Sequence, residues 1–440
     1  MKDPEAEEAL QIDAHEVQIT HPGKLYFSKA AKVTKLDLVN YFLSIAPGAL
    51  GGIRDRPIVL KRFVNGAEQQ PFYQKRAPAE FPAFLRTIEL SFPSGRTAQE
   101  LVVDNRAGLA WIVNLGCIEL HPHPVRSVDL IHPDQLRIDL DPGPGIDWDS
   151  IRKVALEVKH FLSENSLRGW PKTSGSRGMH ILVSIEPRWT FTEVRRAALA
   201  LSRAIEKRMP GIATSKWWKE ERHGVFLDYN QNAKDRTTCS AYSVRPLPDA
   251  RVSTPLHWNE VADCDPTDFT IFTVPERYAK LGDPHDEIDQ FRGSLESLLE
   301  LAAADEAAGL GDAPWPPHFR KVDGEAPRVA PSRAKPAAKA KREKMPLLVI
   351  AHSPDKQAAL EGLERWKAKH AKVVEHLLPE DILVDSMRGR SSTWTRVRIN
   401  LKNVPEPLRP AQQTPDPDED PTKVWRDSLA AKRAAKQKPQ

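Results

Sequence analysis

Leu136-Arg-Ile-Asp-Leu-Asp-Pro-Gly143 is the stretch on which the fold reading turns. Apolar and charged residues alternate until Pro142 and Gly143 stop the pattern, so the segment reads as a short strand ending in a turn. Strand side chains alternate between faces, which puts Asp139 and Asp141 on the same one. Two carboxylates held side by side repel each other unless a cation lies between them, and hard oxygen donors of this kind suit Mg²⁺ or Mn²⁺. Two solvated acids on a surface strand produce the same D-x-D spelling, so the pair gains its weight only from segments further along the chain.

Two such segments supply it. In Lys172-Thr-Ser-Gly-Ser-Arg-Gly-Met-His-Ile-Leu-Val-Ser-Ile185, a small flexible loop runs into the apolar stretch Met179–Ile185. Glycines allow close backbone approach, and consecutive amides can form an anion-binding nest. Ser174, Arg177 and His180 add a hydroxyl, a forked cation and an imidazole, which together could hold a triphosphate; a β-turn with a core-facing histidine is the alternative. In Gly224-Val-Phe-Leu-Asp-Tyr-Asn-Gln-Asn232, Asp228 interrupts an apolar strand, where an unpaired carboxylate is costly and needs a cation partner. An arginine would serve, whereas a metal shared with Asp139 and Asp141 accounts for all three acids. Amphipathic spacing over Ser150–Ser163 and Thr192–Met209 predicts two helices covering a sheet. The order strand–helix–strand–helix–strand then brings three strand ends to one place. Three acids beside a phosphate loop point to two-metal phosphoryl transfer.

Ile138-Asp-Leu-Asp-Pro-Gly, Ser174-Gly-Ser-Arg-Gly-Met-His and Phe226-Leu-Asp-Tyr-Asn-Gln-Asn resemble the motifs of the archaeo-eukaryotic primase superfamily. More narrowly they are similar to those of the polymerase domain of bacterial non-homologous end-joining ligases. His21-Pro-Gly-Lys-Leu-Tyr-Phe, Arg56-Pro-Ile-Val-Leu-Lys-Arg-Phe-Val-Asn-Gly, Leu120-His-Pro and Tyr242-Ser-Val-Arg-Pro match in the same order, so the resemblance covers residues 17 to about 290. It implies an α+β primase-polymerase fold, with an RRM-like antiparallel sheet carrying the acids, an N-terminal α/β module and a small C-terminal α/β appendage. It further implies that Asp139, Asp141 and Asp228 hold two Mn²⁺ or Mg²⁺ ions. Lys61, His121, Ser174, Arg177, His180, Gln231 and Arg245 would contact the incoming nucleoside triphosphate, ribo- or deoxyribo-. Lys24 and Lys35 would bind the 5′-phosphate at a DNA break, and Phe72 and Tyr73 would stack on template bases. Arg177 stands where many relatives carry lysine, replacing a point charge by a bidentate fork. The spacer between Lys24 and Lys35 is slightly longer than in relatives.

The resemblance implies a stand-alone, template-directed nucleotidyltransferase that fills short gaps at DNA ends and prefers ribonucleotides. Its partners would be gapped ends with a 5′-phosphate, the bacterial Ku protein and a separate ATP-dependent ligase. A primer-independent primase, a two-metal nuclease and a non-catalytic end-bridging module are the competing readings. Lys321-Val-Asp-Gly matches the K-x-D-G signature of nucleotidyl-transferring ligases, but it lies beside Pro314-Trp-Pro-Pro in a low-complexity stretch with too little chain after it for an adenylation domain.

Composition sets the outer bounds. With 440 residues the chain holds two to three domains, and 64 Lys plus Arg against 60 Asp plus Glu leave a net charge of only +4, so local patches matter more than the sum. Cys117, Cys239 and Cys264 are too scattered for a Cys₄ zinc site and read as reduced thiols. With no apolar leader and no long apolar run, no membrane association is expected, and the location expected is cytoplasmic and nucleoid-associated. The expected organisation is an acidic disordered tail (1–16), the catalytic domain (17–300), a Pro/Ala/Lys/Arg-rich linker (310–345), a small α/β domain (346–402) and a charged tail (403–440). In the small domain, Arg388, Arg390, Arg396 and Arg398 form a basic cluster that could meet phosphate.

Overall fold

The computed structural model describes residues 7–92, 95–316, 319, 346–388 and 393–419. It contains two compact units, Met1–Arg328 and Val329–Gln440.

The first unit is built on two five-stranded sheets. One carries the acidic motif, in the order Gly169–Thr173, Met179–Ser184, Gln135–Pro142, Val225–Leu227, Ala213–Thr214. Its pairs are antiparallel except the last, which is parallel. The helices Trp148–Glu164 and Phe191–Arg208 form where the apolar spacing predicts them. Asp147 caps the first by accepting from the Ser150 amide, and Thr190 with Glu193 closes a capping box on the second. Their apolar stripes, Ile151, Val154, Val158 and Phe161 on one and Val194, Ala197, Leu201 and Ile205 on the other, are buried.

Two strands have no clear signature in the sequence. Gly169-Trp-Pro-Lys-Thr173 is the edge strand, so the phosphate loop is the turn of a β-hairpin and not a strand entry alone. Gly169 and Pro171 hide its β character, and the edge position is where a sheet tolerates proline. Ala213–Thr214 is too short to leave a pattern.

The other sheet runs Phe72–Gln74, Pro57–Arg62, Thr97–Val102, Arg86–Ser91, with Cys117–Pro122 also paired to Pro57–Arg62. Its register sets Lys61 opposite Glu119. A buried ion cluster links the two sheets: Arg56, at the start of one, makes a bidentate pair with Asp134, at the start of the other, at 2.6 and 2.9 Å. Arg126 closes on the same carboxylate at 2.6 Å.

Two segments of this unit differ from expectation. Within the expected acidic tail, Glu7–Ile12 and His15–Thr20 form an antiparallel hairpin. Leu10 and Ile12 alternate with polar residues, and Ile12, Val17 and Ile19 bury against the core, which outweighs the local charge. The linker does not begin at 310. Arg195, 1% exposed, donates to Asp312 and to the Ala313 and Pro314 carbonyls, docking that stretch on the Phe191–Arg208 helix. Lys321-Val-Asp-Gly lies outside the described residues.

The second unit is a three-stranded antiparallel sheet, Leu347–Ser353, Thr393–Asn400, Ile382–Arg388, with the helix Lys356–Lys369 packed on it. The expected charged tail from 403 instead runs along the first strand as far as Glu419, where the His352 amide donates to Pro417 and the Gln412 side chain bonds both ways to Val349. In the basic cluster, Arg396 and Arg398 both close on Asp385, at 3.2 and 2.7 Å, so their charge is largely spent internally; Arg390 lies outside the described residues. Among the described residues no single helix is long and apolar enough to cross a membrane, and the three cysteines are unpaired and buried.

Candidate active site

Asp139 and Asp141 leave the central strand on one face, and Asp228 comes directly after the neighbouring strand Val225–Leu227. The register pairs Leu140 with Leu227, and the Asp228 amide donates to the Asp139 carbonyl at 2.9 Å. Backbone pairing alone thus gathers the three acids: one carboxylate oxygen from each lies within 4.8 Å of the others. Asp139 is 6% exposed, and burial, reinforced by the charges on Asp141 and Asp228, holds its carboxyl well above the usual carboxylate range. Burial also raises Asp141, against the pull of Arg222 and Arg177. Asp228 is pushed up to about 6 by burial and by Asp141. Three oxygen donors this close, whose raised carboxyls the neighbouring cations only partly offset, are the donor set a hard divalent cation satisfies.

The Asp228-Tyr-Asn-Gln-Asn turn is organised by its own side chains. Asp228 accepts from the Asn230 amide at 3.0 Å and from Gln231 Nε2 at 3.1 Å. Asn232 exchanges two hydrogen bonds of 2.8 Å with the Arg137 backbone, extending the sheet by one rung. Asn230 accepts from buried Arg195 at 2.7 Å.

Across the acids stands the hairpin turn. Ser174 Oγ accepts from the amides of Ser176 and Gly178 at 3.1 and 3.0 Å, so its hydroxyl shapes the loop. Gly175 sits at φ +69°, and a Cβ on Gly178 would lie 2.3 Å from the Leu140 carbonyl, so side chains are excluded at both points. His180 is opposite Asp139 in register, with Nε2 3.3 Å from its carboxylate. Burial, with Lys172, Arg245 and Arg137 nearby, keeps its imidazole neutral. A cavity of about 250 Å³ lies here, lined among others by Asp139, Asp141, Ser174, Arg177, His180, Gln231, His121 and Arg245. A larger cavity of about 970 Å³, lined by Phe161, Trp217 and Tyr229 among others, contains none of the three acids.

Lys61 does not line the smaller cavity but is tied to its wall. Glu119, missed in the sequence, takes Lys61 Nζ at 2.7 Å, His121 Nε2 at 2.8 Å and Arg245 Nη1 at 3.5 Å. Burial alone would raise its carboxyl, yet these partners hold it down at about 2. Lys172, also missed, is fully buried behind His180, hydrogen-bonds Ser253, and is lowered to about 8 by burial. Strand alternation in Glu119-Leu-His121 was the available signal for the first, whereas Lys172 lies on the strand that Gly169 and Pro171 hide and meets His180 only through sheet pairing.

The four outlying residues fall in two places. The Lys35 amide donates to the Lys24 carbonyl at 2.9 Å, so the longer spacer still brings the two lysines together. Lys35 is 5% exposed; its amine is held by Thr20 and Asn114 without any acid, and burial plus the Lys24 charge lowers it to about 8. Phe72 and Tyr73 are 47% and 60% exposed, Phe72 against Arg62 and Tyr73 against Lys61.

Residues 34–285 match the family model described as LigD, primase-polymerase domain. The chain is 31% identical over 270 residues to the multifunctional non-homologous end joining protein LigD of Mycolicibacterium smegmatis, covering 61% of this chain and 35% of that one. It is 29% identical over 271 residues to the bifunctional non-homologous end joining protein LigD of Bacillus subtilis, covering 61% and 43%. It thus spans less than half the length of both. A solved structure of the polymerase domain from Mycobacterium tuberculosis Ligase D in complex with DNA superimposes with a TM-score of 0.58 at 29% identity, over 63% of this chain and 99% of that one.

Proposed function

The chain belongs to the LigD primase-polymerase domain family, and on that premise we propose that it is a template-directed nucleotidyltransferase that fills short gaps at DNA ends in non-homologous end joining. The observation that carries the proposal is the meeting of Asp139, Asp141 and Asp228 within 4.8 Å, at a cavity lined by Arg177 and Arg245. Two divalent ions, Mn²⁺ or Mg²⁺, would be held by these acids and would supply charge neutralisation and an activated primer 3′-hydroxyl. The remaining work is positioning and electrostatics. Arg177 and Arg245 grip the triphosphate, beside a hairpin whose shape the Ser174 hydroxyl fixes. Gln231 steadies Asp228, and neutral His180 spans the acids and the loop. The sheet carrying the acids is the RRM-like element of the family fold.

Away from the acids, Lys24 and the buried Lys35 take the 5′-phosphate, since two adjacent cations without an acid are what a dianion needs. Phe72 and Tyr73, exposed and sequence-indifferent, stack on unpaired template bases. Ribonucleotides are preferred, and Ku and a separate ATP-dependent ligase complete the repair reaction. The test is primer extension on a short-gap duplex with a 5′-phosphate, comparing ribo- with deoxyribonucleotides and Mn²⁺ with Mg²⁺. Extension lost in Asp139→Ala and in chelator supports the assignment; extension that survives Asp139→Ala refutes it.

A further inference from the structure

Glu119 is 1% exposed on the Cys117–Pro122 strand, and no packing need explains a charge there. Removing a carboxylate from water costs several kcal/mol unless partners replace the solvent. Its partners come from three segments: Lys61 opposite it in register, His121 two residues on along the same face, and Arg245 from a distant loop. Each is a residue whose other side is turned to function. Lys61 and Arg245 keep 13% and 22% of their side chains exposed, and His121 and Arg245 line the cavity beside the acids. His121 is buried and neutral, with Nε2 committed to Glu119 at 2.8 Å. Its proton therefore sits on Nε2, and Nδ1, which has no protein partner, carries the lone pair.

Resting on the polymerase reading above, we propose that Glu119 is a positioning residue for the incoming nucleotide. It aims Lys61 and Arg245 at the phosphates and fixes the His121 tautomer, so that Nδ1 accepts a hydrogen bond from a nucleotide hydroxyl. A carboxylate is needed because it only accepts. An amide in its place offers an N–H to the imidazole and releases the tautomer, while both cations lose their anchor.

The test uses the full chain with Mn²⁺ and a gapped duplex, comparing Glu119→Gln with the parent for a ribonucleoside triphosphate and its deoxy counterpart. Loss of one charged hydrogen-bond set predicts a rise in ribonucleotide KM of about tenfold or more. The change in kcat is smaller, DNA-end affinity is unchanged, and the ribo-to-deoxy ratio falls. Glu119→Asp, which keeps the charge but withdraws it by one methylene, falls between the two, and it carries the same test if Glu119→Gln does not fold. A folded variant with the parent's KM and the parent's ribo-to-deoxy ratio overturns the inference. A parent that does not extend at all overturns the polymerase reading and this inference with it, whereas an active parent beside an indifferent variant overturns this inference alone.

Discussion

Asp228→Asn should abolish extension and yet make the metal-free protein more stable at neutral pH. The Asp228 carboxyl moves from 3.8 to about 6, chiefly through burial and then through Asp141. That rise corresponds to about 3 kcal/mol of destabilisation once the group is ionised. The folded protein holds this proton more tightly than the unfolded chain does. The penalty is therefore absent below the unfolded value, grows as pH rises from 3.8 towards about 6, and is complete above that. Asparagine cannot ionise, so it escapes the penalty. It still presents one oxygen to the Asn230 amide but loses the acceptor used by Gln231. That loss costs about 1 kcal/mol, leaving a net gain of about 2 kcal/mol above pH 7 and a net loss of about 1 kcal/mol near pH 3. Mn²⁺ should reverse the order, because a ligand that binds only the folded parent stabilises it by mass action. Urea unfolding monitored by tryptophan fluorescence, at both pH values, with chelator and with Mn²⁺, measures all four quantities. A variant less stable than the parent at neutral pH in chelator, or one whose gain does not change with pH, would refute the view that burial and the neighbouring acid penalise an ionised Asp228 in the folded protein.

Three further outcomes are expected. Gly178→Ala places a methyl 2.3 Å from the Leu140 carbonyl, so the phosphate hairpin must withdraw from the acidic strand; single-turnover extension should drop at least about tenfold at a stability cost of about 1–3 kcal/mol. Lys35, lowered to about 8 by burial and by Lys24, loses its charge as pH rises through that value; the preference for 5′-phosphorylated over unphosphorylated gaps, read by competition binding, should therefore decline between pH 7 and pH 9, and should be weak at both in Lys24→Ala. Arg56→Met leaves buried Asp134 with Arg126 as its remaining arginine partner, and urea titration should show a loss of about 3 kcal/mol or more.

How much of the fold and site is legible in the sequence depends on how far each signal travels along the chain. Asp139 and Asp141 can be read because period-2 alternation is local, and the helices Trp148–Glu164 and Phe191–Arg208 because their stripes repeat every three to four residues. The meeting of Asp228 with them is inferred from the cost of burying a charge, and the register Leu140–Leu227 supplies the contact. Glu119 has only one weak local mark, the histidine two residues on. In Cys117-Ile-Glu-Leu-His-Pro it reads as one acid on a strand, and its meaning arises only when sheet pairing sets it against Lys61 and a distant loop delivers Arg245. The ends fail for the opposite reason. Glu7 and Glu8, like Asp416 and Asp418, dominate the composition of their windows, while order is decided by the few side chains that bury, such as Ile12, and by backbone pairing such as His352 to Pro417. Charge density thus argues for a solvated tail only where no alternating apolar residue and no free strand edge stand nearby. By the same logic, a strand acid beside a histidine two residues on, as in Glu119-Leu-His121, should be read as a pair on one face before it is read as surface.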